Sequence, residues 1–505
     1  MQPDLQIPQN VDLLIIGGGI NGAGIARDAA GRGLSVLLVE KDDLASHTSS
    51  ASTKLIHGGL RYLEYGEFRL VRESLKERER LWRMAPHIIW PLRFVLPQTQ
   101  SPRPAWMVRT GLFLYDHIGG RKDLPATETV SLTDAPQGEG LSDRKGKAFV
   151  YSDCWVEDAR LVALNAMDAA QNGATVLTRT KFEGAKRSGS EWTAELSDAG
   201  GTHTVTARAI VNTAGPWVSE VIGTIAQAKP KGQVRLIKGS HIIVPRLYPG
   251  DHAYMLQNPD RRIVFAIPYE REFTLIGTTD VPCADLPDKA AISEDEVGYL
   301  LDTANRYFDR QTTREDIVWT YSGIRPLFDD QAKNASAVTR DYVLDLDRGG
   351  ADAGGDAPLL NVFGGKITTF RRLAEHAMDE LDLPGAGGKW TAGKPFPGGD
   401  FADFDSYLAK LVARYPGVDT TLLRRMARAY GTRTETILGD ATTAADLGED
   451  LGGGLHVAEI DYLVAKEWAR TADDILWRRS KLGLHVPDGT ADRLTAYLNR
   501  TATTG

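Results

Sequence analysis

The chain has 505 residues, too many for one ordinary domain and enough for two to four. Its composition, 42% hydrophobic and 25% charged, is that of a globular protein with no biased tract that would force disorder. A formal charge of −8 excludes the basic balance of a nucleic-acid binder, and only Cys154 and Cys283 are present, which excludes a disulfide scaffold or a zinc module and fits a reducing compartment.

The opening MQPDLQIPQN has no basic stretch followed by an apolar core, so a secretory signal is not expected. No run approaches the ~20 apolar residues that span a bilayer, and the expected location is the cytoplasm or a membrane surface. Residues 11–16, VDLLII, read as a strand that runs into GGGINGAG and an Ala-rich helix to Ala30. GRG closes that helix and LSVLLVE follows as a second buried strand, completing a βαβ opening. Further on, DARLVALNAMDAAQNG reads as a helix, ATVLTRTKFEGAKR as one strand, and EWTAELSD with THTVTARAIVNTAG as a meander around AGG. From about 230 to 345 the chain is strand-rich and predicts a mostly antiparallel second lobe. LLNVFGGKITTFRRLAEHAMDEL then repeats the strand–glycine–helix arrangement. The Gly- and Pro-rich 388–400 reads as a linker, and 401–505 as a separate helical domain in which Ile460, Leu463, Val464 and Trp468 keep helical spacing.

Gly17, Gly19 and Gly22 match G-x-G-x-x-G between strand and helix. The first permits the tight turn, the second lets backbone approach a pyrophosphate, and the third brings helix close to sheet. The helix N-terminus offers free N–H groups and roughly +0.5 of a charge. Glu40, ending the second strand, can accept from a ribose hydroxyl and would repel a 2′-phosphate, which disfavours NADP. Ser49, Ser50, Ser52 and Thr53 can donate to pyrophosphate and ribityl oxygens; a solvated loop is the alternative for any one of them. Glycine turns recur at Ala214–Gly215, after a strand, and at Gly364–Gly365–Lys366, before a helix. A large flat ring needs backbone to approach it from several sides, and helix N–H groups stabilise the charge of a reduced flavin, so FAD fits better than a nicotinamide.

Together, IIGGGINGAGIARDAAGRGLSVLLVEKDDLA, TSSASTKLIHGGLRYLE, YSDCWVEDARL, VRLIKGSHI, IGTTD, TYSGIRPL and FGGKITTFRRLAEHA resemble the signatures of FAD-dependent glycerol-3-phosphate dehydrogenases, in the wider amino-acid-oxidase-like flavoprotein family. They lie in matching order over nearly the whole chain, and the helical C-terminal part resembles that family's C-terminal domain, which the amino acid oxidases would lack. The resemblance implies an α/β fold with a Rossmann-like, glutathione-reductase-type FAD-binding domain interleaved with a mostly antiparallel β substrate domain, plus the C-terminal α-helical domain. The oxidoreductase region would be 11–390, with FAD-binding segments at about 11–90, 150–230 and 340–390 and substrate segments at about 91–149 and 231–339. It further implies oxidation of sn-glycerol 3-phosphate to dihydroxyacetone phosphate, with electrons passing through non-covalent FAD to a membrane quinone. Neither a metal nor nucleic acid is expected, and a homodimer is left open. The rival readings are an oxidase that passes electrons to oxygen, and a flavoprotein with structural FAD and a C-terminal binding module.

The chemistry requires a base for the C2 hydroxyl proton and cations for the phosphate. Gly58 and Gly59 would let backbone lie against the ring, flanked by His57. By resemblance Arg61, Arg325, Arg340 and Lys366 bind substrate, with Tyr62 in support; Arg61 could instead pair with Glu64 across one helical turn. The base is His241, with His57 in reserve; Arg325 polarising the hydroxyl while water takes the proton is the alternative. Arg69, Arg72, Lys76, Arg78, Arg80 and Arg83 beside Leu81, Trp82, Ile88, Ile89 and Trp90, with Trp106, Met107, Leu112 and Phe113, suit a membrane interface. Glu73, Glu77 and Glu79 dilute that charge, and core packing is the other reading of the apolar residues.

Overall fold

The computed structural model describes residues 7–226, 228, 234–283, 286, 290–328, 341–349 and 356–503. β1 (Asn10–Ile16), α1 (Ile20–Gly31) and β2 (Val36–Glu40) form the expected opening, with Leu14 opposite Leu37 in the parallel pair. Leu13, Leu14 and Ile15 are all fully buried, as they must be in a strand covered on both faces. From one edge the sheet runs Val343–Asp347, Leu359–Phe363, Gly201–Asn212, β1, β2 and Thr175–Thr178, so a segment about two hundred residues from β1 lies beside it and one about three hundred and fifty away lies next beyond. The antiparallel hairpin Lys181–Ser188 and Glu191–Asp198 extends from Gly201–Asn212. The single strand expected over 174–187 is thus two, broken at Arg179, whose φ is +56°.

After β2 the chain enters the second lobe through α2 (Phe68–Met84), the strand Ile89–Pro97 and α3 (Ala105–Ile118), and α4 (Asp158–Gln171) returns to pack on α1. The helix Phe370–Leu381 covers the other flank of α1. The second sheet is antiparallel apart from the pairing of Ala253–Gln257 with Ile89–Pro97. Towards one edge of this sheet Val234–Pro245 lies between Phe273–Gly277 and Trp319–Phe328, which places His241 opposite both Gly277 and Tyr321.

Beyond Phe404 the described chain is helical. Its apolar residues do not form a core of their own. Leu423, Leu463 and Leu494 belong to the same buried cluster as Leu13, Ala29 and Leu161. The 388–400 segment is tied down as well: Trp390 donates to the Asp28 carbonyl (3.1 Å), and the Arg27 guanidinium lies over the Trp390 and Phe396 rings. The helix around Ile460 ends at Lys466, so Trp468, at φ +58°, stands outside it and does not continue its spacing.

Candidate active site

Two clefts meet where the sheets face each other. The first, about 340 Å³, is lined by Gly17, Gly19, Glu40, Ser49, Ala214, Gly215, Trp217, Gly364 and Gly365. The turn from β1 is built for close backbone approach. Gly17 has φ +108°, and a Cβ there would stand 2.6 Å from the Thr213 carbonyl oxygen. Gly22 lies behind the cleft, where a side chain would overlap the Gly17 carbonyl, so it serves the contact of helix with sheet. Glu40 is buried; its carboxylate accepts from the Gly18 and Asp42 N–H groups (2.6 and 2.9 Å), and burial raises its pKa against those bonds. Ser49 Oγ accepts from the Ile20 N–H (3.0 Å) at the N-terminus of α1. A glycine-lined cleft at a helix N-terminus with a carboxylate at the end of β2 fits a dinucleotide of the FAD kind.

The second cleft, about 320 Å³, shares Ile20, Thr48, Ser49, Pro326, Gly364 and Gly365 with the first. It is lined by Ser52, Thr53, His57, Gly59, Arg61, Tyr62, His241, Thr278, Asp280, Arg325 and Lys366. Strand register explains the clustering. Tyr321, Gly323 and Arg325 stand opposite His241, Gly239 and Ile237, so alternate residues share one face, and the paired glycines clear its floor between histidine and arginine. Arg325 donates to Asp280 (2.9 Å) and to Thr278 Oγ1 (3.3 Å). The ammonium of Lys366 lies 3.7 Å from the centre of the Tyr62 ring. Arg61 Nε is buried with no hydrogen-bond partner among the described residues, and the alternative partner Glu64 is taken by Arg103 (2.5 and 3.0 Å). His241 is buried and its ring stacks on Tyr321 at 4.6 Å. Burial first, then the charges of Lys54 and Arg325, hold its pKa well below the ordinary histidine value, so the ring is neutral.

Some expected residues lie elsewhere. Arg340 falls outside the described residues. Ser50 lines neither cleft and its hydroxyl donates to the His47 carbonyl (3.2 Å). Ser52 reaches the second cleft, but its hydroxyl is committed to Asp158 (2.8 Å). Gly58 does not line it either: its N–H donates to the Tyr115 hydroxyl oxygen (2.7 Å), and a Cβ would run into Leu75. Lys366 precedes its helix by four residues, since that helix starts at Phe370. Of the 81–90 apolar residues, Leu81, Ile88 and Ile89 are core, as is Leu112, while Arg78 is buried on Asp153 (2.6 Å). Thr48, Thr278, Asp280 and Tyr321 were not singled out as site residues. Thr278 and Asp280 lie in the IGTTD motif and Tyr321 in TYSGIRPL, but nothing in a single sequence marks Tyr321 as the wall behind His241.

Residues 12–351 match the family model described as FAD dependent oxidoreductase, and 389–502 match the C-terminal domain of alpha-glycerophosphate oxidase. The chain is 55% identical to D-erythritol 1-phosphate dehydrogenase of Brucella abortus over 95% of its length and 96% of the relative's. It is 52% identical to glycerol-3-phosphate dehydrogenase of Pseudomonas aeruginosa, over 98% and 96% respectively. The FAD-complexed glycerol-3-phosphate dehydrogenase of Bacillus halodurans superposes with a TM-score of 0.74 at 26% identity, covering 97% of this chain and 94% of that one. With the glycine-lined cleft, the curved substrate sheet and the helical C-terminal part all in place, the chain belongs to the FAD-dependent glycerol-3-phosphate dehydrogenase family, and its cofactor is FAD.

Proposed function

We propose that the enzyme oxidises a phosphorylated polyol, sn-glycerol 3-phosphate, to dihydroxyacetone phosphate. The observation that carries this reading is the joining of the dinucleotide cleft, at Gly364 and Gly365, to a cavity that holds Arg61, Arg325, Lys366 and a neutral buried histidine. Arg61, Arg325 and Lys366 supply positive charge for a phosphate dianion, and the planar guanidinium forks suit its oxygens. His241 accepts the C2 hydroxyl proton, with His57 in the same cavity as the reserve. FAD, when bound, supplies the acceptor for the C2 hydride. Anaerobic addition of glycerol 3-phosphate to the purified yellow protein should bleach its flavin; a flavin that stays oxidised overturns the reading and leaves the cofactor structural.

A specific observation supports a second substrate, D-erythritol 1-phosphate, since a relative at 55% identity bears that activity in its name. It shares a terminal phosphate and a neighbouring secondary hydroxyl with glycerol 3-phosphate, so the same cations and base serve. The ratio of kcat/KM for the two phosphate esters decides between them.

The acceptor we assign is a membrane quinone, reached from the cytoplasmic face by a peripheral protein. No helix of the described residues is long and apolar enough to cross a membrane. Apart from Val318, the large exposed apolar side chains among the described residues lie on α3 and around the start of α2: Trp106 is 73% and Phe113 53% exposed, with Met107, Leu114, Tyr65 and Phe68. Beneath this face an apolar cavity of about 180 Å³ shares Leu60, Arg61, Met255 and Ile263 with the substrate cavity. An exposed apolar helix next to an apolar passage suits an acceptor delivered from lipid. Peroxide formed in step with turnover would instead mark an oxidase.

A further inference from the structure

The segment 43–54 connects the two clefts. Thr48 and Ser49 line both of them, and Thr53 lines the second. Each end of this segment is held by a buried carboxylate, and each carboxylate is met by a basic residue from the same short stretch of the C-terminal domain. Asp43 accepts from Arg478 (2.7 Å) and from Arg479 (2.9 and 2.8 Å). Asp158, fully buried at the start of α4, accepts from Lys54 (2.9 and 3.0 Å) and from the Ser52 hydroxyl (2.8 Å), and Lys481 stands 3.7 Å away.

The two lysines share an unusual backbone. Lys54 has φ +59° and Lys481 φ +61°, a left-handed conformation that L-residues other than Asn and Asp seldom adopt. Such conformations persist where the surroundings over-determine them, and here both lysines converge on one carboxylate. Buried ion pairs of this sort add little net stability over an apolar replacement, which points to a role in fixing geometry. The geometry they fix is that of His241. Thr53 Oγ1, between Ser52 and Lys54, is 3.0 Å from His241 Nε2, and it is the ring's hydrogen-bond partner among the described residues. The Tyr321 ring stacked on His241 is anchored by its hydroxyl, which donates to the Ser52 carbonyl (2.8 Å).

We propose that Lys481, delivered by the C-terminal domain, and Asp158 are positioning residues for the catalytic base: they hold Ser52 and Lys54 so that Thr53 fixes the orientation of the His241 ring. The C-terminal domain is then part of the catalytic framework. It touches neither cleft at this point; it acts through one carboxylate and one hydroxyl. The inference rests on the role of His241 proposed above.

The test compares Lys481→Met, Lys481→Arg, Thr53→Val and Thr53→Ser in the full-length FAD-loaded enzyme. Two quantities are read: the rate of anaerobic flavin reduction by glycerol 3-phosphate, and the side-chain ¹⁵N resonances of His241 recorded without substrate. Lys481→Met and Thr53→Val should slow reduction about tenfold or more, a share of the roughly 10²–10⁴-fold contribution of a general base. KM and FAD content should stay within about twofold, and the His241 ring resonances should shift as the hydrogen bond at Nε2 is lost. Lys481→Arg and Thr53→Ser should restore most of both. Unchanged rate and spectrum in Lys481→Met and Thr53→Val would overturn the proposal, as would a slower rate with an unmoved ring spectrum. Should Lys481→Met not fold, the Thr53 pair, which leaves the ion pairs intact, decides the matter alone. If no phosphate ester bleaches the wild-type flavin, the substrate reading fails separately, and the ring spectra still judge the positioning.

Discussion

His87 offers a measurement of how this fold responds to acid. The imidazole is fully buried beside Phe401, with neither nitrogen hydrogen-bonded among the described residues. Burial first, then the charges of Arg160 and Arg428, press its pKa down to about 3. The folded protein therefore needs this ring neutral, while the unfolded chain takes up a proton near pH 6.5. A depressed folded-state pKa leaves stability intact above pH 6.5 and removes it progressively as pH falls from there toward 3. At about 1.36 kcal/mol per pH unit, the cost from this one group is roughly 2 kcal/mol at pH 5 and about 4 kcal/mol at pH 3. His87→Phe keeps an aromatic ring near Phe401 and removes the titration. Urea unfolding of both proteins at pH 7.5 and pH 5 should show wild type losing about 2 kcal/mol more than the variant over that interval. Equal losses within about 0.5 kcal/mol would refute the reasoning, because the ring would then be solvated or paired in the folded state.

Other outcomes follow from the site. Glu40→Ala should weaken FAD binding without unfolding the protein, read as a raised Kd for reconstitution of apoprotein with non-covalent FAD. Arg325→Ala and Lys366→Ala should each remove a charge-assisted hydrogen bond worth about 1.5–3 kcal/mol, a tenfold to hundredfold loss in kcat/KM for the phosphate ester. The residual rate with unphosphorylated glycerol should hardly change if a variant's residue serves the phosphate alone, which makes Arg340→Ala the informative companion. A Trp106→Ser, Phe113→Ser double variant should lose sedimentation with anionic liposomes while reducing a soluble quinone analogue at the wild-type rate; retained liposome binding would place the membrane surface elsewhere.

The dinucleotide half was legible because its requirements are local. Gly17, Gly19, Gly22 and Glu40 are set by one turn and two strands within about thirty residues, and the structure brings them to one place. The second cleft was legible in residue types, not in contacts. Arg61, Arg325, His241 and Lys366 were nameable by resemblance, but that Glu64 turns to Arg103 depends on α3 arriving from another segment. By residue type Ser50, Ser52 and Thr53 are donors to pyrophosphate and ribityl oxygens, and Gly58 is backbone laid against the ring. Instead their neighbours divide them, Ser52 to Asp158, Thr53 to His241 and Gly58 to Tyr115. Leu81, Ile88 and Ile89 proved to be core rather than surface for a related reason: a sequence shows apolar character but not which layer covers it.

The strand order of the parallel sheet also bears on how the chain is made. Asn212 is paired with Ile16 on one side and Asn361 on the other, so the sheet's centre is assembled from pieces that leave the ribosome far apart in time. At about 5–20 residues per second, the interval between Ile16 and Asn361 is on the order of 20–70 s. Until the later strand emerges, Ile210–Asn212 at the end of that strand is an open edge with unpaired backbone groups, while Gly201–Ala207 is already paired with Glu191–Asp198. Gly364 and Gly365, which line both clefts, follow directly after that strand. Flavin capture during synthesis is therefore a late event, because the glycines that line both clefts emerge only after the strand that completes this part of the sheet.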